Sequence, residues 1–435
     1  MKWFVAVILV LIVALLLKLS LLTYAMYTLL GVMLVSRFLT RKWATALTAK
    51  RDCDKLAGEV GDTISVMLTI ENQGKLPIPW VLLEDLLPRE ALRHDPPRLA
   101  VTGRRVQLTM LRPGGKKSLL YQLLCNRRGY YQLGPLVMET GDLFGLHRRY
   151  RVASEPQFLM VLPKVVPLAG YDVSSKRPIG EVRMTYRLFE DPTRIAGVRR
   201  YEAGDPLNRV NWRATARTGL LHSKIYEPST VAGATIVMDF HTASYAKKDE
   251  PYRSELAVTT AASIAHAVYL MGQQVGLVTN GRDAADRIRL EGWAGDMRTR
   301  AATQKAAAML EKSDRLEPLV VPTRRGPEQL MQILETLARV ELTDGLWLSQ
   351  LLAETTGRMP RDATVIAILG KVDLETAIAL GELRRQGFAI TAILNIYEEY
   401  DFAQASGPLL AQGIETRHLR DEAAVVEICR RYVLR

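Results

Sequence analysis

The chain is 435 residues long and 48% hydrophobic, with a formal net charge of +12 from 58 Lys and Arg against 46 Asp and Glu. Its length exceeds what one ordinary core holds, so it predicts two or three domains. Acidic residues are interspersed among the basic ones without a block of about five or six like charges, which disfavours a nucleic-acid-binding protein.

Two apolar runs open the chain. Residues 3–17 read WFVAVILVLIVALLL and residues 19–35 read LSLLTYAMYTLLGVMLV, with Lys18 between them. One helix over both runs would be about 50 Å long, against a hydrocarbon core of about 30 Å. We therefore expect two short transmembrane helices within residues 1–40. A cleaved signal peptide is the alternative, but Ala25 offers a poor cleavage site and a second apolar run follows.

Basic residues flank both runs, with Lys2 before them and a group after them: Arg37, Arg41, Lys42, Lys50 and Arg51. Flanks that carry Lys and Arg stay on the cytoplasmic side of a membrane. The sequence thus predicts a protein of the inner (cytoplasmic) membrane whose soluble domains are cytosolic. Lys18, in the outer turn, is the residue that argues against this orientation.

Residues 52–162 predict an antiparallel β-sandwich. The segment TISVMLTIEN at 63–72 alternates apolar and polar residues and ends at the turn signal Asn72-Gln73-Gly74. Further short strands, separated by Gly and Pro, follow at regular spacing.

Residues 163–230 are basic, rich in Gly and Pro, and without clean periodicity. We expect a connector that lies over the surface of another domain. It contains the stretch YEAGDPLNRVNWRATARTGLLHSK, in which Trp212 would be an apolar anchor and Arg213 and Arg217 would contact carboxylates. Those carboxylates belong either to this chain or to a partner. The candidate docking residues are Arg200, Tyr201, Gly204, Asp205, Trp212, Arg213, Arg217 and Lys224.

From residue 231 to 435, buried strands alternate with helices. Strand segments such as ATIVMDF, QVGLVTN, DATVIAILG and FAITAILN are separated by helical spacing, which predicts a doubly wound parallel sheet covered on both faces. Ligands of such sheets bind outside the carboxyl ends of the strands. That rule points to Asp239, Thr279 and the turn at 370–373.

The connector motif is specific. Gly204-Asp205, then Trp212-Arg213-Ala214-Thr215-Ala216-Arg217, then Lys224, resemble the signature of the prokaryotic DUF58 family; the segment NRRGYYQLGPLVMETGDLFGL is also similar, with Leu143 where Pro is usual. The resemblance implies a membrane anchor and a von Willebrand factor A-like C-terminal domain. It also implies partnership with a MoxR-type AAA+ ATPase and other membrane proteins, but no known reaction.

A domain of the von Willebrand A type binds a divalent cation through an Asp-x-Ser-x-Ser motif. Here Asp239 is kept, while His241 and Ala243 stand in place of the two serines. Oxygen ligands suit Mg²⁺, so Asp239, Thr242 and Asp373 are the candidate ligands. The alternative is that Asp239 binds the loop amides, and that His241 is an exposed loop residue or a helix cap.

Catalytic motifs are absent from the sequence: none of the six histidines falls in HExxH, and no GxSxG occurs. The three cysteines form no CxxC pair, which disfavours a zinc or redox site and favours the cytosol, although Cys53 and Cys125 could pair in an oxidising compartment. We expect a non-catalytic adaptor of a MoxR-type AAA+ ATPase that binds no nucleic acid. The alternative is a divalent-metal-dependent binding or hydrolytic protein of the cell envelope.

Overall fold

The computed structural model describes residues 2–93, 96–167, 190–201, 210–228, 233–285, 288, 316–361 and 363–433. Gly204, Asp205 and the helix predicted at 301–312 lie outside the described residues. The chain separates into two compact units. The first comprises Met1–Lys164, Gly281–Arg315 and Leu334–Thr343, and the second comprises Val165–Asn280, Leu316–Ile333 and Asp344–Arg435.

Two helices open the first unit, α1 at Lys2–Leu16 and α2 at Ser20–Ala46, with a turn at Lys18 between them. Among the described residues, α2 alone has the length and apolar composition to cross a membrane, and α1 is a shorter apolar helix. The second helix runs past the predicted limit at residue 40. It does so because its last turns pack one face against the β region, as shown below.

The β region begins at Leu47, directly after α2 and before the predicted start at residue 52. Its strands are β1 Leu47–Cys53, β2 Ala57–Glu59, β3 Thr63–Asn72, β4 Ile78–Asp85, β5 Leu99–Gly103, β6 Val106–Leu111, β7 Lys116–Cys125, β8 Gly129–Leu133, β9 Leu136–Gly141, β10 Arg148–Ser154 and β11 Gln157–Leu162. A short helix, α3, spans Arg89–Arg93. The antiparallel character predicted from the alternation is confirmed, with one parallel pair between β2 and β11.

These strands form sheets in the orders β1-β3-β7-β5, β10-β9-β4-β6 and β2-β11-β8. The period-two pattern of β3 buries every second side chain, including Ile64, Val66 and Leu68, in one apolar core. That core also holds a buried ion pair. Arg51 donates to the Asp85 carboxylate, which also accepts a hydrogen bond from the Tyr121 hydroxyl at 2.6 Å.

The second unit contains a six-stranded sheet in the order β17-β15-β14-β19-β20-β21. Its strands are β14 Gly233–Met238, β15 Gln274–Thr279, β17 Leu319–Arg324, β19 Ala363–Leu369, β20 Ile390–Leu394 and β21 Glu415–His418. Neighbouring strands are parallel except β15 and β17. The sheet is therefore mixed, which corrects the expected all-parallel sheet: Pro322 marks β17 as an edge strand that joins in the opposite direction.

Helices connect these strands. They are α5 Tyr252–Leu270, α6 Pro327–Arg339, α7 Leu348–Thr355, α8 Leu374–Arg385, α9 Glu399–Ala411 and α10 Glu422–Val433. The described part of the connector is more regular than expected. Strands β12 Glu190–Arg200 and β13 His222–Pro228 pair antiparallel, with helix α4 at Trp212–Thr218 between them. Two short strands, β16 Arg282–Asp283 and β18 Val340–Glu341, also pair.

Candidate functional site

The carboxyl ends of β14 and β15 meet in a buried hydrogen-bond network centred on Asp239. Its Oδ1 accepts from the backbone N–H of His241 at 3.2 Å and from Nδ2 of Asn280 at 2.9 Å, and its Oδ2 accepts from the Ser244 hydroxyl. The Tyr245 hydroxyl donates to the Asp239 carbonyl at 2.7 Å. Burial raises the pKa of the Asp239 carboxyl, although these hydrogen bonds to its charged form act in the opposite direction.

Asn280 joins three segments through one side chain. Its carbonyl oxygen accepts from the Phe240 N–H at 2.6 Å, while its NH₂ group donates to Asp239 and to the Leu346 carbonyl, each at 2.9 Å. An amide has two donor hydrogens, so both are used. Thr279 is the residue predicted at this strand end, whereas Asn280, the next residue, was not predicted; its signal was a lone amide directly after a buried strand.

His241 is buried and caps the short 3₁₀ helix Thr242–Ser244, because its Nδ1 accepts the Ala243 N–H at 3.1 Å. The helix-cap alternative is therefore confirmed, and the exposed-loop alternative is wrong. The ring also stacks on Trp347, with 4.0 Å between ring centroids. Gly370 allows this loop to approach the end of β19, since a Cβ there would lie 2.6 Å from the Ser244 carbonyl oxygen.

The candidate magnesium ligands have other roles. Asp373 caps α8, with its Oδ1 accepting the Thr376 N–H at 2.8 Å, and Thr242 is exposed in the loop. Within the described part of the chain, no three His, Cys, Asp or Glu side chains are grouped to hold a metal ion. The Asn280 NH₂ and the Ser244 hydroxyl both direct hydrogens at the Asp239 carboxylate, where a cation would need open lone pairs. This donor-rich surrounding does not fit Mg²⁺.

A second network lies at the ends of β20 and β21. The buried Arg253 guanidinium donates to Oδ1 of Asn395 at 3.1 Å and to the Arg420 carbonyl at 2.9 Å, and Nδ2 of Asn395 donates to the Arg253 carbonyl at 2.7 Å. The guanidinium carbon lies 5.6 Å and 5.3 Å from the ring centroids of Tyr252 and Tyr397. This network was not predicted from the sequence, because its members are far apart in the chain and form no motif.

Exposed aromatic side chains lie on the segments that hold these two networks or directly follow them. We call Tyr252, Trp347, Tyr397 and Tyr400 the aromatic rim; Tyr400 is the most exposed, at 79%. Arg420 stacks over the Tyr397 ring at 5.5 Å, so the rim also carries an exposed cation. The carboxyl edge of the sheet thus presents aromatic surface on a hydrogen-bonded base.

The predicted docking stretch adopts a defined local structure. Asn211 caps α4 by accepting the Ala214 N–H at 3.2 Å, and Gly219 ends the helix in the left-handed conformation. Trp212 is 68% exposed and does not occupy a core. Arg213 and Arg217 are exposed on the same helix, and among the described residues no ion pair joins either to a carboxylate.

The flanking candidates lie on the strands beside α4. Arg200 ends β12 opposite His222, Lys224 pairs with Val198 in the β12–β13 ladder, and the Tyr201 N–H donates to the Leu221 carbonyl at 2.9 Å. The structure therefore brings Arg200, Tyr201 and Lys224 onto one two-stranded ribbon.

Taken together, these elements define a protein with one helix suited to cross a membrane, an antiparallel β region and a mixed α/β sheet. Residues 197–295 match the family described as "Protein of unknown function DUF58". The chain is therefore similar to the DUF58 family over that segment. It is 26% identical over 241 residues to the uncharacterized protein YeaD of Bacillus subtilis (strain 168), a match that covers 54% of this chain and 56% of the relative. The match thus spans about half of that relative's length.

Similarity to solved structures is low. The pilus adhesin SpaC from Lactobacillus rhamnosus GG gives a TM-score of 0.32 at 9% identity, over 46% of this chain and 30% of the adhesin. Proximal thread matrix protein 1 from the mussel byssus gives 0.29 at 9% identity, over 46% of this chain and 47% of that protein. These scores carry no argument about fold or function.

Proposed function

We propose that this protein is a membrane-anchored, non-catalytic adaptor that binds a MoxR-type AAA+ ATPase through the aromatic rim of its second unit. The DUF58 match and the apolar N-terminal helices support the anchoring, which we assign to two spans in the inner membrane with cytosolic soluble domains. The ATPase partner and other membrane-protein partners follow from the family resemblance in the connector and in the β region.

The observation that carries the proposal is the aromatic rim on its hydrogen-bonded base. Tyr and Trp are the side chains most enriched at the energetic centres of protein interfaces. The rim residues are exposed, while the groups beneath them, Asp239 and Asn280 at one end and Arg253 and Asn395 at the other, are engaged in hydrogen bonds. A base of this kind holds the rim in one arrangement and lowers the entropy cost of binding.

The order of strands and helices leads us to assign the second unit to the von Willebrand factor A-like fold. That fold binds a divalent cation through an Asp-x-Ser-x-Ser motif after its first strand. In this chain His241 and Ala243 replace both motif serines, and Asn280 and Ser244 donate to Asp239. We infer that the same edge works here by aromatic contact, with hydrogen bonds in place of the metal.

Affinity capture of the full-length protein from its native cells tests the partner. We expect a MoxR-type ATPase to be recovered, with crosslinker if the complex is transient. Tyr397→Ala and Tyr400→Ala should each weaken recovery about tenfold, the effect of losing an interface hot spot of roughly 1.4 kcal/mol or more. Leu410→Ala is the matched control, because Leu410 is an exposed apolar residue near the other end of α9.

Two results would overturn the proposal. One is that no MoxR-type ATPase is captured, with or without crosslinker. The other is that Tyr397→Ala, Tyr400→Ala and Leu410→Ala all recover the same amount of ATPase. If Trp212→Ala alone lowered ATPase recovery about tenfold, the ATPase contact would lie in the connector and not at the aromatic rim. The orientation of the chain in the membrane is tested separately. Protease added outside spheroplasts should leave the soluble units intact. Digestion from outside would contradict the cytosolic assignment.

A further inference from the structure

Helix α2 does not end where its apolar sequence ends. Its 27 residues are about 40 Å long, which exceeds a hydrocarbon core of about 30 Å by roughly 10 Å. The C-terminal half buries one stripe of side chains at helical spacing: Met33, Ser36, Thr40 and Trp43. The helix packs this face against β9 and β10. The β region is thus docked on the membrane helix itself.

One contact sets the level of this docking. The Ser36 hydroxyl lies 2.9 Å from Nδ1 of His147. Ser36 is the residue between the apolar run that ends at Val35 and the basic run that begins at Arg37. An apolar-to-basic boundary in a membrane helix marks the lipid–water interface. His147, and the loop that precedes it, therefore lie at the depth of that interface.

The loop between β9 and β10 is held in a tight shape. The Asp142 carboxylate accepts the N–H groups of His147 at 2.8 Å and of Leu146 at 3.2 Å, and the Trp80 indole donates to the Asp142 carbonyl at 3.2 Å. Gly145 supplies the left-handed residue, with φ of 72°. These bonds tie down both ends of the loop.

Apolar side chains project from this loop. Leu143 is 76% exposed and Phe144 75% exposed, and Leu146 beside them is also exposed. On a water-facing surface such a group is unfavourable, because the transfer of large apolar side chains out of water lowers the free energy. Two exposed arginines, Arg148 and Arg149, follow directly in β10.

We propose that Leu143, Phe144 and Leu146 form a membrane-insertion loop that enters the interface of the bilayer crossed by α2. The proposal rests on the membrane anchoring proposed above and adds a second, peripheral contact with the same bilayer. The occupant is lipid, because the Ser36–His147 contact places the loop beside the helix at the interface. Leu and Phe partition into this zone, and Arg149 beside them suits anionic headgroups, while Arg148 pairs with Glu139 at 3.6 Å.

The loop depth can be measured on the full-length protein in vesicles of phosphatidylcholine and phosphatidylglycerol. A Phe144→Cys variant is labelled with an environment-sensitive NBD dye, and a small fraction of lipid carries a quencher close to the headgroup. Burial raises the pKa of the Cys53 and Cys125 thiols to about 11 and that of Cys429 to about 12, so the native thiols label slowly at neutral pH.

The matched control is a Leu108→Cys variant, since Leu108 is 66% exposed on β6, at the opposite edge of the same sheet from β10. We expect about a twofold or greater loss of emission from the dye at position 144, as for a group about 5–10 Å into the headgroup boundary, and little loss at 108. A Leu143→Cys variant should behave like Phe144→Cys.

Equally weak quenching at positions 144, 143 and 108 would overturn the loop proposal, and would leave a protein partner as the occupant of this surface. Extraction of the natural chain from vesicles by alkaline carbonate separates the two proposals. A chain that resists extraction but shows no quenching at 144 refutes the loop alone. A chain that is extracted refutes the anchoring, and the loop proposal with it.

Discussion

Substitution of Asp239 separates a hydrogen-bonding carboxylate from a metal-binding one. In Asp239→Ala, His241 N–H, Asn280 Nδ2 and the Ser244 hydroxyl all lose their acceptor. At about 0.5–1.5 kcal/mol for each net hydrogen bond, and more for a donor left buried, the loss is about 2–4 kcal/mol. For a domain of about 200 residues this lowers the thermal midpoint by about 5 °C or more.

Asp239→Asn should be far milder. The amide oxygen keeps the bonds from His241 and Asn280, and its NH₂ group faces Ser244, whose hydroxyl can accept as well as donate. We expect a cost of about 1 kcal/mol or less at neutral pH. The assay is thermal unfolding of the full-length protein in detergent, followed by tryptophan fluorescence, for the natural chain and both variants.

The same pair of variants gives a pH test. Burial raises the pKa of the Asp239 carboxyl in the folded state. A raised pKa makes the natural chain most stable below the ordinary value of roughly 4, with stability falling as pH rises towards the folded pKa. Asparagine does not titrate, so Asp239→Asn should gain stability relative to the natural chain between pH 4 and pH 7.

Two results would refute this reasoning about Asp239. One is an asparagine variant as unstable as the alanine variant, since that would mean the carboxylate charge is required. The other is a Mg²⁺-dependent rise in the midpoint of the natural chain that both variants lack, since a cation would then bind at this position.

Three further predictions concern the β region and the connector. Asp85→Ala leaves the buried Arg51 guanidinium without its counter-ion and should cost about 3–5 kcal/mol in chemical denaturation; an unchanged midpoint would contradict this. Burial alone would raise the pKa of Asp142, but the N–H of His147 and its other donors outweigh burial and lower that pKa. Asp142→Asn should therefore be less stable than the natural chain at pH 7, with the deficit shrinking as pH falls below roughly 4, and a deficit independent of pH would disprove it. Trp212→Ala should change stability by no more than about 0.5 kcal/mol, because the indole is exposed; a loss of about 3 kcal/mol would restore it as a core anchor.

The strands that the sequence predicted well are those whose burial pattern is unambiguous. Gly233–Met238, Gln274–Thr279 and Ala363–Leu369 are buried nearly throughout, so their apolar runs identify them without knowledge of neighbours. The edge strand Leu319–Arg324 was not predicted, because it is short, contains Pro322 and is mostly exposed at its end. Helix α9 was not predicted, because Gly407 and Pro408 interrupt its helical sequence pattern.

The candidate site was predictable only in outline. The rule that ligands gather at the carboxyl ends of strands located Asp239 correctly, but it could not say which groups would fill the space around that carboxylate. Asn280 and Asn395 are single amides with no motif of their own. Their partners lie 41 and 142 positions away along the chain, so only the folded sheet brings each amide to its partner.

The junction between α2 and β1 has a mechanical consequence. Ala46 ends the helix and Leu47 begins the strand, so no linker separates α2 from the β region. A flexible linker would let a soluble domain sweep a volume that grows with linker length. With α2 spanning the membrane as proposed, the β region would keep a fixed height and orientation relative to the bilayer and would rotate with the helix. A membrane that thins or thickens tilts its helices to match. In this protein such a tilt would change the orientation of the β region by the same angle.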